Sequence, residues 1–369
     1  MATTAKTKSK FKTAPKSQGQ LYEEAAKRII ESLKDGTAPW IQPWDKDKAR
    51  ALIRPQSAVT GKPYRGVNVL LLMSRGYADP RWCTFNQAKA NGWNVKKGEK
   101  ASNIYFFTIK EIEKNKIDPL TGEPATDIRK IPVLRSYALF NAQQMDNVPE
   151  FEAASSGFEP IEAAEAILAA SGATIEHRGV EALYDPKEDA VILPPRASFA
   201  QIDQYYATAM HELGHWTGHK DRLDRELVAF RDDPELYAKE ELRAEIASMM
   251  LSADLGLAHD PSNHLSYVNF WIEALEADPK EIFSASRDAE AIRNYLLGML
   301  EAAPDVAPEL IEELRSEATN EPEVEMITSG PANAEVEEDS MAALFGFSKP
   351  PQESDETEQK PRSSNQLSM

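Results

Sequence analysis

One stretch of the chain dictates its own geometry: His211-Glu212-Leu213-Gly214-His215, preceded by apolar residues at helical intervals, Phe199, Ile202, Tyr205, Tyr206 and Met210. An α-helix turns about 100° per residue, so side chains four apart stand on one face, a turn above one another. On a helix, His211 and His215 therefore point the same way and can share one zinc ion, while Glu212 projects beside the position left open for water. Zinc brings the pKa of water towards about 7, and a carboxylate placed there can take its proton as it attacks a carbonyl. The spacing asks for a helix at the heart of the fold and points to hydrolysis, with Glu212 as general base. So short a pattern also arises by chance on ordinary amphipathic helices, so its surroundings decide what it means.

A zinc site of this kind needs a third protein ligand. His219 is nearest in sequence, but on an unbroken helix it lies about 12 Å of axial rise from His211. It becomes available only if Gly218 ends the helix and turns it inward. Better placed is Lys239 to Ala247, where Glu241 and Glu245 are four apart and share a face. A helix packed on the first would present Glu241 to the metal while Glu245 holds the outer nitrogen of a ligand histidine, the support such histidines usually require. Glu245 is an alternative ligand, and a solvated acidic face is the plainer alternative for the pair. The arrangement resembles the gluzincin metallopeptidases, in which His-Glu-x-x-His is followed by Glu-x-x-x-Asp; here Glu245 stands at the Asp position. In proteins similar to these, an edge strand before the active-site helix pairs with bound peptide. Ala190-Val191-Ile192-Leu193 is the candidate, with an ordinary buried strand as its alternative. Tyr237 and Arg243 are the nearby candidates for stabilising an oxyanion.

The 369 residues allow about two domains of usual size. Net charge is −18, but residues 1–150 hold 26 Lys and Arg against 15 Asp and Glu, a net of +11, leaving −29 for the rest. Halves of opposite sign should meet different partners. No apolar run approaches the roughly 20 residues of a membrane helix. Lys6, Lys8, Lys10, Lys12 and Lys16 have no apolar core after them, which suggests a flexible basic arm over 1–18 rather than a secretory signal. Cys83 stands alone, so no internal disulfide or thiolate zinc cluster forms, and a reducing cytoplasm is the expected setting. From residue 304 onward, 16 acidic residues face four basic ones, and 304–369 reads as a disordered tail interrupted by the apolar island 341–347.

Periodicity predicts helices over 21–33, 82–91, 161–171, from about 199, and over 235–254, 262–277 and 279–302. Strands are expected at 104–109, 133–141, 174–177 and 182–193, the last broken at Asp185-Pro186, with a hairpin or insertion over 110–130. Val69 to Leu72 fits a buried helix or a strand equally. Residues 149–160 make a linker between domains at 19–148 and 161–303.

The basic half interleaves Trp40, Trp44, Tyr64, Trp82, Phe85, Trp93, Tyr105, Phe106 and Phe107 with Lys62, Arg65, Arg81, Lys96, Lys97 and Lys100. Single-stranded nucleic acid is gripped this way, bases stacking on rings while cations follow phosphates. A small domain also needs aromatics for its core, and Phe106 with about half the others is expected there. The surface candidates are Trp40, Trp44, Tyr64, Arg65, Trp82, Lys96, Lys97 and Lys100.

Pro39-Trp40-x-x-Pro43-Trp44, Gly61-Lys62-x-Tyr64-Arg65-Gly66-x-Asn68, Trp82-x-Thr84-Phe85-x-Gln87-Ala88, Lys97-Gly98-Glu99-Lys100 and Phe140-Asn141-x-x-Gln144 closely resemble the N-terminal domain of ArdC-type antirestriction proteins. His211 to His219 and Arg222-Leu223-Asp224-Arg225 resemble the zincin-type domain that follows it there. The resemblance covers about residues 20–300. It implies an α+β protein of two domains: a mixed α/β single-stranded-DNA-binding domain shared with TraC-type primases, then a mainly helical, zincin-like metallopeptidase domain with a small sheet. It further implies single-stranded DNA as a partner and protection of incoming plasmid or phage DNA from restriction, while the His-Glu-x-x-His reading adds one zinc ion and, for a peptidase, a host or element-encoded protein substrate. Two other expectations stand beside this one: a DNA-binding protein with a structural or vestigial zincin domain, and a primase accessory, which lacks an acidic polymerase constellation here.

Overall fold

A capping box opens the first helix, α1 (Gln18–Lys34), with Ser17 and Gln20 satisfying each other's backbone N–H groups. Its apolar face, Leu21, Ala25, Ile29 and Leu33, is buried, each large side chain contributing about 1.5–3 kcal/mol by leaving water. The computed structural model describes residues 16–41, 53–117, 124–151, 160–225, 227, 233–257, 259 and 266–302. Residues 1–15 of the basic arm, Trp44, residues 152–159 of the linker and the acidic tail with its apolar island lie outside that set.

The first half continues through β1 (Gln56–Ser57), α2 (Val67–Met73), β2 (Arg81–Thr84), α3 (Phe85–Ala90), β3 (Asn94–Val95), β4 (Ser102–Ile117), β5 (Pro124–Asn141) and β6 (Met145–Asp146). One sheet has the order β1-β2-β5-β4, and β3 pairs with β6. The ambiguous run at Val69 to Leu72 is helical and wholly buried. The helix expected from Trp82 begins only at Phe85. Trp82 to Thr84 pair with Leu139 to Asn141, and Thr84 then closes a capping box with Gln87, so sheet pairing overrides helical periodicity for three residues. The region expected to hold a hairpin or insertion shows β4 and β5 paired antiparallel as far as Ile117 with Pro124; residues 118–123 lie outside the described set.

The second half runs α4 (Pro160–Ser171), β7 (Thr174–His177), β8 (Leu183–Asp185), β9 (Ala190–Leu193), α5 (Ile202–Trp216), α6 (Pro234–Leu255), α7 (Val268–Ala277) and α8 (Glu281–Glu301). Ala190 to Leu193 is not an edge strand. It lies between β7 and β8, fully buried, with its main-chain groups already paired on both sides. The edge beside the cleft described below belongs to β8. Among the described residues no helix is long and apolar enough to cross a membrane.

The described residues fall in one compact unit, and their core runs through both halves. Trp40, Leu70 and Leu134 from the first share one buried cluster with Leu213, Leu242 and Leu275 from the second. Polar ties reinforce the joint. Arg54 donates to both oxygens of Glu290 at 2.6 Å, and the Gly66 N–H reaches the same carboxylate at 3.1 Å.

Candidate metal centre

The helix bearing His211 and His215 packs against α6 at Gly214. A Cβ there would sit 3.4 Å from Ala244 Cα, so glycine lets the two backbones approach closely and Ala244 adds little bulk between them. Glu240, Glu241 and Glu245 of α6 are thereby brought level with the histidines of α5, all of them buried or nearly so.

The two imidazole Nε2 atoms face each other at 3.1 Å. Glu241 straddles them, one oxygen 3.4 Å from His211 Nε2 and the other 3.4 Å from His215 Nε2. Two donor atoms about 2.0–2.1 Å from a common ion at the tetrahedral angle are about 3.4 Å apart. These separations are near that figure, with a different Glu241 oxygen facing each nitrogen, so the three residues can hold one ion between them. His211, His215 and Glu241 form one group of potential ligands.

Each histidine turns its other nitrogen to a different carboxylate. His211 Nδ1 lies 3.0 Å from Glu245, and His215 Nδ1 lies 3.2 Å from Glu240. Both Nδ1 atoms can donate to these carboxylates, which leaves the Nε2 lone pairs directed at the same point. Burial opposes charge on His211, but Glu241 and Glu245 outweigh it and raise its pKa well above the usual value. For His215 the balance of burial against Glu241 and Glu240 raises the value to about 9. Burial of Glu241 is overcome by the two histidines, which hold its carboxyl far below the ordinary range.

Glu240 has its own support. Arg225 donates to it at 2.7 and 3.1 Å and also reaches Gly214 O at 2.7 Å and Thr217 Oγ1 at 2.9 Å. Gly218 makes room, because a Cβ there would meet the guanidinium at 2.8 Å. Burial of Glu240 is offset first by Arg225 and then by His215, so its carboxyl stays ionised. Arg222, the other cation of this motif, lies 3.8 Å over the Trp216 ring and binds Asp189, bracing the end of α5 against the β8–β9 turn.

A cleft of about 670 Å³ opens on the cluster. Glu212, the β8 residues Leu183 and Tyr184, Tyr237 and Tyr267 line it. Burial, then the charge of Glu241, pushes the Tyr237 hydroxyl upward, so it is protonated at neutral pH. Arg243 is not in the cleft: it is buried against Asp288 and Glu281 on α8, which removes it as an oxyanion donor. His219 is outside the cluster as well. The helix ends at Trp216, and His219 Nδ1 accepts the Asp221 N–H at 3.3 Å.

The basic half is where sequence reasoning fails most. Trp40 is fully buried in the shared core and Trp82 in a second cluster with Leu72, Ile104 and Leu139, so neither ring is available to a base. Tyr64 is half-buried against that second cluster. Arg65, Lys96, Lys97 and Lys100 are exposed, with Lys96 Nζ also reaching Gln143 O at 2.9 Å. Among the described rings of this half Phe85 is the most exposed, at 55% and edge-on to Phe140, and Phe107 and Tyr137 are exposed as well. Glu240 and Tyr267 were also missed, though Glu240 sits four residues before Ala244 within the stretch that drew attention to Glu241.

Comparison with known proteins divides the chain as its charge does. Residues 19–140 match the family described as the N-terminal domain of anti-restriction factor ArdC, and residues 162–288 match the zincin-like metallopeptidase family. A DNA primase TraC of Escherichia coli is 48% identical over 287 residues, 75% of this chain but 27% of the primase, so the chain spans about a quarter of that relative's length. The metal-free crystal structure of the antirestriction protein ArdC from plasmid R388 is similar with a TM-score of 0.63 and 38% identity, over 76% of this chain and 98% of that one. The Mn(II)-bound structure of the R388 protein is similar at 0.60 and 37%, with the same coverage.

Proposed function

The chain belongs to the ArdC antirestriction family, and on that premise we propose that it binds single-stranded DNA through its N-terminal half, carries a zinc peptidase centre in its C-terminal half, and shields incoming plasmid or phage DNA from restriction. The observation that carries the enzymatic reading is the convergence of His211, His215 and Glu241, with ligand atoms within 4.8 Å of one another, on a cleft that Glu212 also lines. Two imidazoles and a carboxylate suit zinc. An ion held there supplies Lewis acidity towards a carbonyl and towards water.

The protein's own groups perform the remaining work. Glu245 and Glu240 fix the tautomers of the two ligand histidines. Substrate main chain pairs with the outer edge of β8, whose residues line the cleft. Glu212 accepts the proton of the attacking water and returns it to the departing amide nitrogen, so that a C–O bond forms as the C–N bond breaks. Tyr237 and Tyr267 are the hydroxyl donors placed to meet the charge that develops on the carbonyl oxygen.

On the basic side, the exposed Phe85 ring and the cations Arg65, Lys96, Lys97 and Lys100 support stacking and phosphate contact. Glu212→Gln tests the enzymatic reading. Metal content and DNA affinity should stay at wild-type levels while cleavage and protection from restriction are both lost. Protection that survives intact would show that occupancy of DNA, rather than proteolysis, is the working principle.

A further inference from the structure

His259 is a buried histidine that the proposed chemistry does not use. It is 2% exposed, and it joins two parts of the molecule far apart in sequence. Its Nε2 lies 3.0 Å from the carbonyl oxygen of Trp40 in the N-terminal half and 3.2 Å from Glu245 Oε1 on α6. The other Glu245 oxygen holds His211 Nδ1 at 3.0 Å. A carbonyl oxygen can only accept, so His259 Nε2 carries a proton and donates it to the Trp40 carbonyl, while Glu245 Oε1 lies against the same N–H, close to it but off the hydrogen-bond axis. Its Nδ1 is buried and has no hydrogen-bond partner among the described residues.

We propose that His259 is a positioning residue that ties the seating of the Thr37–Ile41 segment to the geometry of the metal centre. The link runs from the Trp40 carbonyl through the His259 N–H to the Glu245 carboxylate, then through the His211 Nδ1–H to the Nε2 that faces the ion. Glu245 orients His211 correctly only while its own position is fixed, and the positive end of the His259 N–H dipole lies beside its second oxygen, the nitrogen 3.2 Å away. Trp40 anchors the far end because its side chain is locked in the shared core, while Thr37 and Ala38 both donate to Ser32 O at the end of α1. Coupling between two sites is reciprocal. Metal binding should therefore tighten this segment, and whatever loosens the segment should weaken metal binding.

The inference rests on the metal centre proposed above, and its test separates the two. Zn2+ affinity is measured by competition with a chelator for the full chain and for His259→Leu and His259→Gln. The Gln amide can donate to the Trp40 carbonyl and keep an N–H beside the Glu245 carboxylate. His259→Leu should bind Zn2+ about 10–100-fold more weakly, the usual cost of losing a group that supports a ligand, and His259→Gln should recover most of that loss. Hydrogen exchange at the Thr37 and Ala38 amides, followed in the wild type with and without Zn2+, needs no variant to fold and should slow on metal loading. Wild-type protein that takes up no Zn2+ sinks both readings. Uptake with unchanged exchange, equal affinity in His259→Leu, or equal loss in both variants overturns the coupling alone.

Discussion

Glu240 offers the sharpest test of how the site is held together. It is 3% exposed and accepts from His215 Nδ1 at 3.2 Å and from Arg225 at 2.7 and 3.1 Å. Glu240→Ala strands a guanidinium whose side chain is 10% exposed. Removing one partner of a buried ion pair costs about 3–5 kcal/mol. Arg225 keeps its bonds to Gly214 O and Thr217 Oγ1, which places the expected loss near the lower end, about 3 kcal/mol. Arg225→Met strands the carboxylate instead and should cost a similar amount. The double variant leaves neither charge unpaired, so it should fall short of the summed losses by about 2 kcal/mol. Urea unfolding of the four metal-free proteins measures all of these terms. Releasing the His215 ring should also weaken Zn2+ binding about 10–100-fold. Single losses under about 1 kcal/mol, or additivity within about 0.5 kcal/mol, would refute the idea that the pair acts as a unit.

Other consequences follow from the same geometry. Gly214→Val places branched carbon against Ala244, 3.4 Å away, and should cost about 1–3 kcal/mol while lowering Zn2+ affinity; an unchanged urea midpoint and affinity would contradict close packing as the reason for glycine. Trp40→Ala should destabilise by about 3–5 kcal/mol, since the ring is core, whereas Phe85→Ala should leave stability within about 0.5 kcal/mol. Phe85→Ala should instead weaken single-strand binding by about 1–3 kcal/mol; a stable Trp40→Ala protein with impaired DNA binding would reverse that assignment. For Glu290, burial is outweighed by Arg54, and its pKa is lowered from 4.5. A depressed carboxylate contributes stability that is complete above about 4.5 and disappears as pH falls through the folded-state value. Glu290→Gln should flatten the acid limb of the stability profile, and an unchanged limb would argue against the Arg54–Glu290 joint.

The sequence by itself determined the parts of this protein whose logic is local. Histidines four apart on an amphipathic run specify a helix and a shared face whatever surrounds them, and the same holds for Glu241 and Glu245. The sign change in charge near residue 150 and the apolar faces of α1 and α4 to α8 are likewise local signals, and the family resemblance is carried by short motifs. Tertiary structure decided the rest, because it depends on which surface each residue faces once distant segments meet. Trp40 and Trp82 look like surface aromatics from their turns and neighbours, yet the core that covers them comes partly from strands and helices many residues away. Ala190 to Leu193 carries no mark that distinguishes a central strand from an edge. Glu240 differs from an exposed glutamate only through Arg225, and His259 differs from an ordinary buried histidine only through a carbonyl 219 positions earlier. The two ligand histidines can be read along one helix turn, but the groups that hold them in register, and their meeting with Glu241, come from approaches such as Gly214 on Ala244 that only the folded chain defines.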